Sequence, residues 1–262
     1  MFVDTIKLEN YDQISILRLA QPRTLNAMSP AMADEFEAAI ASVQADQETR
    51  VLIITGCGDS FSSGGDLNTT FSMYQGSPVQ AKPKVESFYK KFLTVRTLEI
   101  PTIASIKGNV IGAALCLALA CDMRVASTDV SMTMSFIKLG LSPGMGGTYL
   151  LPRLIGTAQA LEMFLTGGLV KAEEALRVEL VNHVVDTGEL ERFSLDLAGR
   201  IAQNAPVAAR LIKKTVYQGL SKDLETCLEY EAMAQLICAS TQDMQEGVAA
   251  VKEKRAPSFK GR

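Results

Sequence analysis

108-GNVIGAALCLALACDMRVAS-127 decides how this chain is read. It opens on a glycine turn, and 112-GAALCLALA-120 then has no polar side chain. That run is too short to span a bilayer and reads as a buried helix. Upstream lies 101-PTIASIKG-108, a short apolar run typical of a buried strand. Downstream, 122-DMRVAS-127 and 129-DVSMTM-134 read as two more strands. The unit is therefore strand, glycine turn, buried helix, strand.

The same grammar appears earlier. 50-RVLIITG-56 reads as a buried strand, and the glycine-bearing loop 57-CGDSFSSGGDLNTT-70 follows it. Before it, 29-SPAMADEFEAAIASVQAD-46 has Ser29 as N-cap and Pro30 at the first helical position. Met32, Phe36, Ile40 and Val43 share one face, which makes that helix amphipathic. At the start, 3-VDTIKL-8 and 14-ISILRL-19 alternate around 9-ENYDQ-13, a hairpin signal. Residues 71–98 read as a flexible segment with Gly76, Pro78 and Pro83, followed by a helix over 85-VESFYKKFLTVRTL-98. Another strand is read at 181-VNHVV-185, and from Glu189 onward the pattern is helical. Strands alternating with helices, then helices alone, imply an α/β core over 1–188 and a helical region over 189–262.

The totals agree with an ordinary globular enzyme or binding protein. The chain has 262 residues, 47% hydrophobic and 21% charged, with a net charge of −3. That balance gives no electrostatic footprint for nucleic acid or an acidic membrane. The segment 252-KEKRAPSFKGR-262 is locally basic and reads as solvated surface, or as a place to meet a phosphate. Five cysteines with no CxxC spacing fit free thiols in a reducing cytoplasm. A single histidine, His183, excludes a histidine-rich metal site, so no metal is expected. The acidic, alternating N-terminus is unlike a signal peptide.

Chemistry concentrates in the two glycine turns. 61-FSSGGDL-67 exposes backbone N–H groups after one strand. 107-KGNVIGAALCLAL-119 delivers a helix N-terminus after the next, with free N–H groups and partial positive charge. Two such turns can aim two donors at one oxygen. An oxyanion hole of this kind is worth roughly 3 kcal/mol per donor once charge builds on a carbonyl oxygen.

At this level the sequence resembles the crotonase, or enoyl-CoA hydratase/isomerase, superfamily. The resemblance is carried by 23-RTLNAM-28, 61-FSSGGDL-67, 108-GNVIGAALCLALACDMRVAS-127, 139-LGLSPGMGGTYLLPRLIG-156, 165-LTGGLVKAEEALRVELVNHVV-185 and 247-GVAAVKEKRAPSF-259. It implies a ββα spiral with a C-terminal helical trimerisation region, forming a homotrimer or hexamer. It implies oxyanion N–H groups from Gly65 and Ala113. Arg23, Leu25, Ser63, Asp66 and Leu67 would line the coenzyme A path, with Asp66 also bracing its loop. Lys254 would reach a neighbour's nucleotide. The substrate would be an acyl-CoA or an acyl-phosphopantetheine thioester on a carrier protein, with no further cofactor.

The pattern breaks at the acids. Hydratase-like members carry glutamates four positions after the glycine aligned with Gly112 and seven before the proline of the P-G-x-G-G turn. Several isomerases carry an acid directly after that proline. Here these positions hold Cys116, Phe136 and Gly144. Without a base for water and an acid for the α-carbon, ordinary hydration lacks its machinery. Cys116 reads as a small hydrophobe, with acid or nucleophile as the alternative. Lys138 is expected beside the pocket. Decarboxylation of a β-carboxyl thioester needs no base, and 136-FIKLGLSPGMGGT-148 resembles decarboxylases of polyketide β-branching. Those use a lysine and a tyrosine, for which Lys82, Lys84, Tyr89 and Lys90 are candidates. They are also associated with a C-terminal histidine that this chain lacks after His183. Isomerisation with Glu86 or Glu99 as base is the competing reaction. A non-catalytic acyl-CoA-binding or scaffold member, and a thioester hydrolase, are the other classes.

Overall fold

The computed structural model describes residues 4–262. A six-stranded sheet runs in the order β1-β2-β3-β4-β6-β9, and a three-stranded sheet in the order β5-β7-β8. β1 (Ile6–Tyr11) and β2 (Ile14–Leu19) form the antiparallel hairpin; the other pairs in the large sheet are parallel. The expected five-residue separator between these strands is shorter: β1 continues to Tyr11, and Asp12 turns the chain at φ 51°. The first block, read from residue 3, begins partly outside the described residues.

β3 (Val51–Gly56) and β4 (Thr102–Ile106) are buried along their whole length. Strands covered on both faces are what continuous apolar runs produce. One face meets the main core, including Phe36 and Ile40 of α1 (Pro30–Ala45). The other face, through Ile16, Val51, Ile53, Ile103 and Val125, meets Leu190, Ala198 and Ala202 of α8 (Leu190–Ala202).

Residues 57–98 differ from the sequence reading. The loop is shorter than 57–70, because α2 (Leu67–Met73) starts within it, capped by Asp66. The following helix, α3, begins at Pro78 and not at 85, and ends at Leu93. Ser77 caps it and Pro78 sits at its first position, so the proline that suggested flexibility starts a helix. β5 (Asn109–Ile111) occupies what read as a turn, and the two-residue β8 (Val170–Lys171) carries no strand pattern.

α4 (Ala113–Ala120) has all eight side chains buried. Its cap region is tied to the C-terminal helices by Asp122. That carboxylate accepts from Thr102 N at 2.7 Å and Tyr217 Oη at 2.8 Å, and pairs with Lys213 at 2.8 Å. β6 (Met123–Ser127), β7 (Ser131–Thr133) and β9 (His183–Val185) complete the sheets. After α5 (Gly147–Ile155), α6 (Thr157–Thr166) and α7 (Ala172–Arg177), the helical region after α8 holds α9 (Pro206–Gly219), α10 (Leu224–Ala239) and α11 (Gln242–Glu253). No helix among the described residues is long and apolar enough to cross a membrane.

Candidate active site

The two glycine turns are brought side by side by a register, not by chance contact. Ser62 pairs with Val110 in a parallel bridge: Ser62 N donates to Asn109 O at 3.0 Å, and Ile111 N to Ser62 O at 3.2 Å. Counting forward along both chains places Gly64 opposite Gly112, and Gly65 opposite Ala113. A Cβ on Gly64 would lie 3.7 Å from Ala113 N and would run into the Ile111 carbonyl oxygen. With φ at +85°, residue 64 is glycine on two counts.

Neither the Gly65 nor the Ala113 amide has a hydrogen-bond partner among the described residues. Their neighbours do: Met28 N donates to Gly64 O at 2.7 Å, Asp66 N to Met28 O at 3.0 Å, and Gly112 N to Thr133 O at 2.8 Å. The backbone on either side is thus pinned while two donors are left over. Ala113 is also the first residue of α4, where the helix dipole is positive.

Asn26 holds this loop from behind. Fully buried, it donates from Nδ2 to Cys57 O, Ser60 O and Phe61 O at 2.8–3.2 Å. Its own carbonyl accepts from Ser62 Oγ at 2.7 Å, and Ser62 Oγ accepts from Gly64 N at 3.1 Å.

Gly65 and Ala113 both line a cleft of about 250 Å³. Phe71, Tyr74, Phe88, Phe136 and Leu141 make it mostly apolar, and Tyr89 also lines it. Among the described residues, Lys138 is the one charged residue in its wall, and no Asp or Glu lines it. The lysine stem lies along Gly167, where a Cβ would be 3.1 Å from Lys138 Cε.

Of the residues singled out from sequence, Gly65, Ala113, Ser63, Leu67 and Phe136 line this cleft. Phe136 packs on Gly112, whose Cβ would sit 3.5 Å from the ring. Leu25 and Thr24 adjoin the cleft through Ser63, whose N–H donates to Leu25 O at 2.9 Å and whose hydroxyl donates to Thr24 O at 3.3 Å. Arg23 lies in the same short turn, Pro22–Thr24. Asp66 is committed to α2, accepting from Asn68 N at 3.0 Å and Thr69 Oγ1 at 2.9 Å. Lys254 is the left-handed cap of α11 and lies outside the cleft wall.

Cys116 is buried behind the wall and donates to Gly144 O at 3.4 Å. Burial pushes its thiol up to about 12, which keeps it neutral. Gly144 meets Tyr89: a Cβ there would overlap the phenol hydroxyl. Glu86 is exposed and pairs with Lys90 at 2.7 Å, and Glu99 lines a different pocket. His183 packs against Phe193 with ring centroids 5.1 Å apart, away from the cleft.

Tyr74 had no signal in the sequence, and Tyr89 was one of several unplaced candidates. Burial, with the Tyr74 hydroxyl and the Cys116 thiol adding to it, raises the Tyr89 phenol above its ordinary range. Tyr89 therefore stays protonated at neutral pH and acts as a hydrogen-bond donor.

A large sheet whose strand–turn–helix units wind into a second small sheet is the crotonase fold. The chain belongs to the enoyl-CoA hydratase/isomerase family of enzymes, whose profile matches residues 9–262. It is 33% identical to a short-chain-enoyl-CoA hydratase of Clostridium acetobutylicum, over 100% of both chains. It is 34% identical to a crotonyl-CoA hydratase of Syntrophomonas wolfei, over 99% of each. The crystal structure of an enoyl-CoA hydratase from Bacillus anthracis superposes with a TM-score of 0.93 at 34% identity, covering 99% of this chain and 100% of that one.

Proposed function

We propose that the protein decarboxylates a β-carboxyl acyl thioester, carried by coenzyme A or a phosphopantetheine arm, through an enolate held by the Gly65 and Ala113 N–H groups. The observation that carries this is a cleft that, among the described residues, has two unpartnered amides and no carboxylate in its wall. Two donors aimed at the thioester oxygen stabilise the enolate by roughly 3 kcal/mol each. Loss of CO2 requires no base, only a place for the electron pair. Lys138 supplies a positive charge for an anionic substrate, and the apolar wall formed by Phe136 and its neighbours keeps water from the carboxylate.

Hydration, the activity in the names of the relatives, requires a base to activate water. The neutral Tyr89 phenol and Cys116 thiol do not serve as one at pH 7. Isomerisation shares the enolate but needs a base at the α-carbon, and Glu86 and Glu99 stand away from the cleft wall.

In the assembled protein, copies associate through the C-terminal helices. Ile212 and Val216 of α9, Leu220 just after it, and Leu224, Leu228 and Leu236 of α10 support this, since all are exposed in the single chain. Lys254 then serves a neighbouring cleft.

The test is a thioester panel: crotonyl-CoA hydration, 3-enoyl-CoA isomerisation, and CO2 release from methylmalonyl- and glutaconyl-CoA. CO2 release as the fastest reaction is the expected result. Hydration on the order of 10 per second would overturn the proposal. Binding by calorimetry with no turnover on any substrate would instead indicate a non-catalytic thioester-binding protein.

A further inference from the structure

We infer that Tyr89 is the acid of this site: its hydroxyl, seated against Gly144 and adjoining Tyr74 in the cleft, delivers a proton to the α-carbon of the enolate. The inference rests on the enolate chemistry proposed above and supplies the group that completes the reaction.

The position of the ring is well determined by its surroundings. Tyr89 sits on α3, which is anchored by an aromatic stack: Phe88 to Phe92 and Phe92 to Phe36, each with centroids 5.2 Å apart. The phenol tip abuts residue 144, where a Cβ would lie only 2.6 Å from Tyr89 Cζ. On the same residue, the carbonyl accepts from Cys116 Sγ. Gly144 thus touches Cys116 and Tyr89 together. The resemblance puts an acidic side chain at position 144 in several isomerases. Here the glycine leaves that space open, and a hydroxyl arriving from α3 fills it.

Other proton sources fit less well. The Cys116 hydrogen is committed to a carbonyl and sealed from the cleft. Lys138 has its stem laid along Gly167, and its charge is the one in the cleft wall available to attract the substrate's anion. Tyr89 is half-buried, lines the cleft and is neutral. An ester-type enolate carbon is far more basic than any phenolate, so the transfer runs downhill.

The step balances without a co-reactant. The bond from the α-carbon to the carboxylate breaks, and its electron pair enters the thioester enolate as CO2 leaves. The α-carbon then takes the Tyr89 proton. The phenolate left behind recovers a proton from water entering the cleft, which Tyr89 lines.

Methylmalonyl-CoA turned over in D2O tests this with wild type, Tyr89→Phe and Lys138→Met. Wild type is expected to place deuterium at the α-carbon of propionyl-CoA in one configuration. Tyr89→Phe is expected to lower turnover by at least about 10-fold, as general-acid loss does, and to give both configurations. Lys138→Met is expected to raise KM and keep the single configuration. A slower Tyr89→Phe enzyme that keeps one configuration overturns the inference, because a structural role would slow the reaction without altering the face of protonation. Should wild type release no CO2, the decarboxylase reading fails separately. Tyr89 is then judged by deuterium wash-in at the α-carbon of butyryl-CoA followed from pH 7 to pH 10, because the Tyr89 phenolate, whose share grows with pH, runs the same proton transfer in reverse. Stereospecific exchange that climbs with pH in wild type and is lost in Tyr89→Phe sustains its role, and exchange that is absent at pH 10, or equal in both proteins, overturns it.

Discussion

The Tyr89 hydroxyl occupies the space into which a Cβ on Gly144 would project, with Tyr89 Cζ 2.6 Å from that point. Neither residue is free to change alone. Gly144→Ala forces the ring or the backbone to move, an overpacking cost of about 1–3 kcal/mol. Tyr89→Ala leaves a cavity at a cost of about 3 kcal/mol. In the double variant the methyl group enters that cavity, so the two losses should add to more than the measured total by at least about 1 kcal/mol. Urea denaturation of the four proteins checks this, and strict additivity would show that the two residues do not touch.

Gly64→Ala is expected to disable the site with less effect on binding. Its φ of +85° strains any L side chain, and the added methyl meets the Ile111 carbonyl. Relief requires the two turns to separate, which splits the Gly65 and Ala113 donors. Loss of one donor's alignment lowers kcat by about 10²–10³-fold. The check is kcat alongside acyl-CoA affinity by calorimetry, where affinity should fall far less.

Asn26→Ala removes the donor to the buried Ser60 and Phe61 carbonyls and the part-buried Cys57 carbonyl, while leaving its own backbone carbonyl to receive Ser62. Buried acceptors left without a partner cost about 1–3 kcal/mol. A matching fall in denaturation midpoint is expected, with faster amide exchange at Phe61 and Ser62. Unchanged exchange there would show that the loop is held by other means.

Cys116 should resist alkylation in the folded protein. With its thiol pushed up to about 12, the thiolate fraction at pH 8 is about 10⁻⁴. Cys57, Cys227 and Cys238 are partly exposed, whereas Cys116 and Cys121 are buried. Timed iodoacetamide labelling read by mass spectrometry should modify the first three before either buried thiol. Early labelling of Cys116 would mean that the wall opens.

The C-terminal tail should loosen in acid. Glu246 accepts from Arg255 at 2.6 and 2.8 Å and from Ser258 N at 2.7 Å. Those bonds, the Arg255 pair foremost, hold its carboxyl at about 2, below the usual 4.5. A depressed folded-state value means that the clasp contributes fully above pH 4.5 and is lost as pH falls from 4.5 through 2. Protection of the Ser258 amide, relative to its intrinsic exchange rate, should fall across that window, and Glu246→Gln should show the lower protection already at pH 7.

The amphipathic helix at 30–45 and the buried strand at 51–56 were legible because period and capping are local properties. The two glycine turns were legible for a related reason: a glycine needed for positive φ is written in the chain itself. The helical stretches 67–73 and 78–84 were not legible, because Pro78 at a helix start and a proline in a loop look alike until Ser77 is seen to cap. β8 has two residues and no period, so only its pairing with β7 makes it a strand.

By itself, then, the sequence determined the strand–turn–helix grammar, the family resemblance, and the absence of acids at Cys116, Phe136 and Gly144. Tertiary structure alone decided that Ser62 pairs with Val110, which sets Gly65 opposite Ala113, and that Tyr89 fills the space beside Gly144. Backbone conformation and side-chain chemistry are local, so the chain states them directly. Which hydroxyl reaches an empty position depends on packing between helices distant in sequence, and that is settled only when the core closes.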